Sequence, residues 1–388
     1  MDIKVDPAVN EPAVNEAAVN EAAVNVADVG PLVSSAVKRP PSLPALTGLR
    51  FFAALAVLLF HFGAGFAEEG GVPSAVARLL HNGYLGVSLF FVLSGFILTY
   101  THQWEILDRR FLADFYMARF ARIYPVYLLA LLVGLPVLIH PLSRSGVAAV
   151  LTMTQSWTPP QSTSGYLWVM QAWTLSVEFA FYLIFPGVLL VAKKLNAVGT
   201  ALIAAATAAV IVIYGLSSIT PGTFSTPHLS PSTVLPIPLL RSAEFVYGVM
   251  LCRLTALNPF GSKVMGGHLL EILMIAIVIA VLCLASSVQS KALFTVAIGI
   301  LIVQLAGGYG LVTAALSSKP LLLLGGASYA LYLLQGPMRA ICDQYVPPPF
   351  DRFLSPIVTI AGAIAVFLYW EQPCRRLLLS TYRRIAGR

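Results

Sequence analysis

Residues 49–62 read LRFFAALAVLLFHF, an apolar run with an arginine near one end and a histidine near the other. The run continues past both, so the pattern places Arg50 and His61 at membrane depth in one long helix. At about 100° per residue, the interval between them falls within about 20° of whole turns, and the two side chains share one face. They stand roughly 16 Å apart along the axis, at a rise of about 1.5 Å per residue. An arginine at the centre of a spanning helix costs roughly 2.5–3.5 kcal/mol on insertion scales. Something must offset that cost or make it useful. The spacing alone leaves two readings open. Either Arg50 snorkels to the headgroups and His61 caps a neighbouring helix, or one face carries a cation and a titratable base for chemistry.

The rest of the chain supports membrane depth. Its 388 residues are 58% hydrophobic and only 11% charged, with a mean hydropathy of +0.82. Soluble domains carry about a quarter charged residues, so the composition is that of a polytopic membrane protein. The net charge of +7 does not argue for nucleic acid, because the basic residues sit at the ends of apolar runs, as topology signals do. Four cysteines (Cys252, Cys283, Cys342, Cys374) are scattered without CxxC spacing and read as packing residues, not as metal ligands or disulfides.

Residues 1–42 are different material. PAVNE-PAVNE-AAVNE-AAVNV is a five-residue tandem repeat, acidic and without aromatics. It is too poor in large apolar residues to build a core, and it lacks the basic and apolar regions of a signal peptide. It reads as a disordered cytosolic tail ahead of a membrane domain at 43–380, with a short basic C-terminal tail at 381–388.

A helix needs about 20 apolar residues to cross the hydrocarbon. Ten candidates start near residues 46, 84, 123, 168, 197, 236, 269, 291, 321 and 353. The expected fold is therefore an all-α polytopic integral membrane protein of about ten transmembrane helices. The segment 146–157 is too short and is followed by Pro159 and Pro160, so it reads as re-entrant or interfacial. With both termini in the cytosol, sixteen Lys and Arg fall at the inside ends and four in the outside loops, the asymmetry of the positive-inside rule. An eleventh span at 146–157 would put Lys193 and Lys194 outside and spoil that count.

Several polar residues do not belong in lipid. Ser94 in VLSGF resembles a nucleophile, but it lacks the strand-to-helix elbow, and a Ser-Gly pair in a spanning helix favours close packing. Arg119 and Arg122, at i and i+3 in a loop before Pro125, share a face. They could clamp a phosphate with fork-shaped donors or serve as positive-inside anchors. Glu178, in the stretch beginning LWVMQAWTLSVE, lies about 15 Å into a span that starts near Trp168. An intramembrane carboxylate is a functional candidate by default. Arg241 and Glu244 form a second i, i+3 pair and could simply neutralise each other. No histidine has an aspartate five residues on, and Walker A, GxGxxG and HExxH patterns are absent. Chemistry inside the membrane and transport remain. A secondary transporter also has many spans and midplane charges, but the two halves show no internal repeat. A third class is a structural or sensor membrane protein, but neither a soluble sensor domain nor a recognisable partner motif is visible.

The stretches LTGLRFFAALAVLLFHF, LGVSLFFVLSGFILTY, FYMARFARIYPVYLLALL, QAWTLSVEFAFYLIFP, GGASYALYLLQGP and WEQPCRRLL occur in that order. Together they resemble the membrane acyltransferase-3 family, which includes the O-antigen acetyltransferases and the macrolide O-acyltransferases, over about residues 43–380. The resemblance implies a multi-pass protein of the bacterial inner membrane, in the short form without a soluble hydrolase-like domain. It implies an acyl-CoA donor, acetyl-CoA first, no permanently bound cofactor, no metal and no nucleic-acid partner. The acceptor it implies is a sugar or glycan-like molecule. Polysaccharide repeat unit, lipid-linked sugar, nodulation-type oligosaccharide and macrolide all fit, and the oligomeric state stays open.

Carried over by position, the resemblance makes Arg50 and His61 the essential helix, Arg119 and Arg122 the basic motif, and Glu178 the acid of WTLSVE. His61 would be the general base on the acceptor hydroxyl, acting by direct attack or through an acyl-His61 intermediate. Arg50 would hold the donor's pyrophosphate or carbonyl, Arg119 with Arg122 its phosphates, and Glu178 would orient or balance His61 or Arg50. One departure stands out. Many members carry a His where this chain has Gln335 in SYALYLLQGP, and Gln335 can donate a hydrogen bond but cannot take a proton.

Overall fold

The computed structural model describes residues 40–68, 72–137, 142–157, 168–217, 236–257, 267–284, 287–348 and 350–387. Residues 1–39, which hold the repeat, lie outside these, as do 158–167 and 218–235. Among the described residues all regular structure is helical. Helix α1 (Pro44–Glu68) is followed by α2 (Ser74–His81), a 3-10 turn and α3 (Gly86–His102). Then come α4 (Arg109–Gly134), the short α5 (Arg144–Leu151), α6 (Trp173–Lys194), α7 (Ala197–Ser217) and α8 (Ile237–Leu257). The chain continues through α9 (His268–Leu284), α10 (Ser287–Ala306), α11 (Leu311–Leu316), α12 (Lys319–Gly326) and α13 (Ser328–Tyr345). It closes with α14 (Phe350–Val366), a π turn at Phe367–Glu371 and α15 (Gln372–Ile385).

Among the described residues, five stretches are helical, long and apolar enough to cross a membrane: Pro44–Gly63, Ser74–His102, Arg109–Val137, Met170–Lys194 and Phe350–Ile385. A sixth follows if α12 and α13, bent by 55° at their junction, form one broken span. The chain is thus a multi-pass membrane protein. Each of the ten expected spans falls on one of these helices or on α7, α8, α9 or α10. Length and composition by themselves give five or six candidate crossings among the described residues.

Two boundaries differ from the sequence reading. Arg119 and Arg122 lie inside α4, not in a loop. The helix starts at Arg109, where the Asp108 carboxylate accepts the Phe111 amide at 2.7 Å, an N-cap that satisfies an otherwise orphan donor. It then runs through Pro125, which membrane helices tolerate because neighbours satisfy the freed backbone groups. The Trp370 indole donates to the carbonyl of Pro125 itself at 2.9 Å, tying the π turn to α4 at this point. In the second case the helix carrying Glu178 begins at Trp173, after a 3-10 turn at Met170–Ala172, so Glu178 sits only about 7.5 Å from the helix start. Trp168 is tied instead to α4, its indole N–H donating to the Leu131 carbonyl at 2.9 Å.

The 146–157 segment behaves as its length predicts. Helix α5 has 8 residues, far short of a span. Beyond it the buried Gln155 and Ser156 donate to the carbonyls of Ala172 at 2.8 Å and Trp173 at 2.9 Å, fixing the start of α6.

The core is organised by the crossing of α3 and α8. A Cβ on Gly95 would stand 2.1 Å from the Phe245 carbonyl oxygen, and one on Gly248 would stand 2.0 Å from that of Val92. Two glycines therefore bring the backbones together, the small-residue packing typical of helices in lipid. Gly95 carries the packing role read for the Ser-Gly pair. Beside the crossing, Arg241 and Glu244 pair at 3.0 Å, nearly fully buried. Arg241 donates to the Ser88 hydroxyl at 3.1 Å and stacks over Phe91 at 5.0 Å. Within the protein this pair does neutralise itself. The four cysteines are unbridged, with Cys252 and Cys342 buried.

Candidate active site

Helix α1 carries a cavity at each end. The first, about 150 Å³, collects Arg50 from α1, Ser94 from α3, Arg119 and Arg122 from α4, and Glu178 from α6. The structure thus brings four of the five sequence-selected residues together. The i, i+3 spacing in α4 turns both arginines to one cavity, as the helical period requires. Arg119 is sandwiched between Phe115 and Tyr182, 5.8 Å from each ring centre. Its Nε has no hydrogen-bond partner among the described residues. The Tyr182 hydroxyl donates to the Glu178 carboxylate. Tyr329 also lines this chamber, and its hydroxyl donates to the Ile123 carbonyl at 2.9 Å, locking α13 to α4.

Two charged residues here were not singled out from the sequence. Arg375 lines the chamber, and the buried Glu371 lies within electrostatic reach of Arg122, Arg50 and Arg375. Both belong to the quoted WEQPCRR stretch, where an acid and two arginines beside an apolar run were the available signal. Four guanidinium groups against two carboxylates leave the chamber cationic. In a water-poor site such an excess favours a bound anion, and arginine forks match phosphate oxygens in particular.

His61 is not in this chamber. It lines a second cavity of about 330 Å³ with Trp168, Gln171, Gln335, Arg339 and Asp343. Arg339 holds the end of α1, donating to the His61 carbonyl and lying over the Phe62 ring at 5.4 Å. Its guanidinium also pairs with Asp343 at 3.6 Å. Glu178 lines the chamber of Arg50 and not the cavity of His61, so of its two suggested partners the geometry puts it with Arg50. Near the start of α6 a hydrogen bond links a wall residue of one cavity to a wall residue of the other. Tyr332 lines the first, and its hydroxyl donates to the carbonyl of Gln171, which lines the second, at 3.5 Å. Among the described residues no cluster of three His, Cys, Asp or Glu is placed to hold a metal ion.

The fold is thus a helical membrane protein in which an arginine chamber and a histidine-lined cavity lie along one helix. The chain belongs to the acyltransferase-3 family, whose sequence profile, described as an acyltransferase domain, matches residues 43–370. It is similar to acyltransferase MdmB of Streptomyces mycarofaciens, with 34% identity over 231 residues, 54% of this chain and 56% of that protein. It is also similar to the peptidoglycan O-acetyltransferase OatA of Listeria monocytogenes, with 26% identity over 86% of this chain and 56% of that protein. The O-acetyltransferase OatA of Staphylococcus aureus is 29% identical over 38% of this chain and 24% of its own length. The chain spans little more than half the length of the first two relatives, 56% of each. No solved structure matches it.

Proposed function

We propose that the protein is a membrane O-acyltransferase that moves an acyl group, acetyl in the first instance, from acyl-CoA to a hydroxyl of a sugar, cell-surface glycan or glycolipid. The observation that carries this reading is the pairing of the arginine chamber with the His61 cavity along α1. Membership of the family and the O-acetyltransferase names of its relatives support it. In this reading the CoA phosphates rest on Arg50, Arg119 and Arg122, and the Tyr182–Glu178 pair balances the guanidinium charge. The pantetheine arm runs along α1, whose Arg50 and His61 are roughly 16 Å apart, and delivers the thioester towards His61.

His61 takes the proton of the acceptor hydroxyl as its oxygen attacks the thioester carbonyl. The C–S bond breaks, an ester C–O bond forms, and the proton passes to the departing CoA thiolate. In the two-step variant the imidazole nitrogen attacks first, the C–S bond breaks and CoA leaves as the thiol with the imidazole proton. The acceptor oxygen then takes the acyl group as the C–N bond breaks, and its proton returns to His61. The sixteen-to-four distribution of Lys and Arg supports a bacterial inner-membrane topology with the arginine chamber towards the cytosol, where acyl-CoA is found, and His61 towards the outside. The same chemistry would serve a small secondary metabolite such as a macrolide as acceptor.

The test is direct. Purified full-length protein in lipid nanodiscs, given acetyl-CoA and a hydroxyl acceptor, is expected to release free CoA thiol in step with O-acetylated product. A secondary transporter would bind or move its ligand and leave the thioester intact.

A further inference from the structure

The chemistry above uses His61 but leaves two other side chains of its cavity without a task. Gln171 is 3% exposed and Gln335 1% exposed, and both line the cavity with His61. Gln335 donates through Nε2 to the Tyr332 carbonyl at 2.9 Å. The side-chain carbonyl oxygens of both glutamines have no hydrogen-bond partner among the described residues. Buried acceptors are rarely left unpaired, because each loses its hydration without compensation. Two on the wall of one cavity therefore point to a ligand.

The surroundings fit the same conclusion. A Cβ on Gly336 would stand 2.5 Å from the Gln171 carbonyl oxygen, so the absent side chain is what lets that amide sit against α13. Trp168 lines the cavity with its indole N–H already committed to Leu131, which leaves the ring as an apolar wall. Terminal amide torsions of Gln are soft, so a small turn presents either oxygen to a ligand.

We infer that Gln171 and Gln335 form the acceptor subsite, and that it takes a carbohydrate offering two hydroxyl donors besides the hydroxyl that reacts at His61. The inference rests on the acyl-transfer reading. Its added content is the demand for extra hydroxyls, which follows from the two unpaired carbonyls. A single-hydroxyl alcohol could meet His61 and would leave both unpaired. The gain from each hydrogen bond made to a buried group is about tenfold in affinity at the upper end of the usual range.

The experiment uses the full chain in nanodiscs with acetyl-CoA, and compares methyl glycosides of glucose, galactose, mannose and N-acetylglucosamine with 1-butanol. At least one glycoside is expected to drive thiol release with a kcat/KM about a hundredfold above that of butanol. Gln335→Leu should raise the KM for that glycoside about tenfold without changing the KM for acetyl-CoA. Gly336→Ala should do the same by displacing the Gln171 amide. Because the added methyl meets only the tip of a flexible side chain, that variant keeps the test valid if Gln335→Leu fails to fold. Equal efficiency for butanol and the glycosides, or an unmoved glycoside KM in folded Gly336→Ala, overturns the subsite and leaves acyl transfer standing. No thiol release with any of these probes overturns the acyl-transfer reading itself, and the subsite with it.

Discussion

Arg50 and His61 can be separated from a structural role by substitutions that keep their size and polarity. If Arg50 only snorkelled, lysine would replace it, since both carry a charge on a long stem. Its place in the chamber beside Arg119, Arg122 and Glu178 favours a fork that grips oxygens in two places, which lysine cannot reproduce. A hydrogen bond to a charged group contributes about 1.5–3 kcal/mol, so Arg50→Lys should insert normally and lose acyl transfer by about 10- to 100-fold. His61→Gln keeps a hydrogen-bonding group but removes the base, and should cost about 10²–10⁴-fold in rate at unchanged protein level. Thiol-release kinetics on matched membrane preparations check both, and near-normal rates in both variants would remove these residues from the mechanism. The sequence made Arg50, Arg119, Arg122 and Glu178 visible because each is a charge inside or beside an apolar run, and helical period alone aligned the arginine pair. Arg339 escaped notice because its role depends on a contact with the His61 carbonyl, 278 positions away in the chain. Gln171 and Gln335 are uncharged, and only the cavity they share reveals their unpaired oxygens.

Between elements, the α3–α8 crossing brings two backbones close together and offers a clean test of packing. Gly248→Val places its Cβ 2.0 Å from the Val92 carbonyl oxygen, a backbone atom that cannot turn aside, so the helices must separate. Overpacking in a well-filled core costs about 1–3 kcal/mol and sometimes more. The variant should lower the thermal unfolding midpoint of the detergent-solubilised protein and reduce transfer, because α3 also carries the Ser94 wall of the arginine chamber. Gly187→Ala, on α6 with nothing within 4 Å of the added carbon, is the control and should leave the midpoint unchanged. Equal midpoints for the two variants would mean that the crossing is looser than the structure shows. The Ser94-Gly95 pair made this packing legible in advance. The early start of α4 was not, since hydropathy over RRFLADFYMAR is low and the decisive feature is one Asp108 cap. The delayed start of α6 depends on Gln155 and Ser156 reaching its first carbonyls, a contact that no local pattern announces.

For the whole molecule, the number of crossings decides which solution each cavity faces. Helix α9 has 17 residues, just under the length of a span, while α7 and α10 have 21 and 20, and the outward residues of all three are apolar. Val198, Leu202 and Ile213 on α7, Leu273 and Ile277 on α9, and Leu293 and Ile300 on α10 are all exposed, as lipid-facing positions would be. Helix α8 carries Arg241, Glu244 and Arg253, but the first two neutralise each other at 3.0 Å, which lowers the cost of placing them in hydrocarbon. Ten crossings with both termini inside therefore give a definite expectation for cysteine labelling in a background with the four native cysteines replaced. Ile106, 84% exposed after α3, follows two crossings and should label as Ile106→Cys only from the cytosolic side. Ile385, 82% exposed at the end of α15, follows all ten and should behave the same way. A cysteine in place of Thr226, in the 218–235 connection, follows five crossings and should label in intact cells. If α7 did not cross, or if α5 did, an even number of crossings would precede residue 226, and Ile106→Cys and Thr226→Cys would label from the same side. That outcome would overturn the ten-span topology, and with it the assignment of the arginine chamber to the cytosol and of His61 to the outer face.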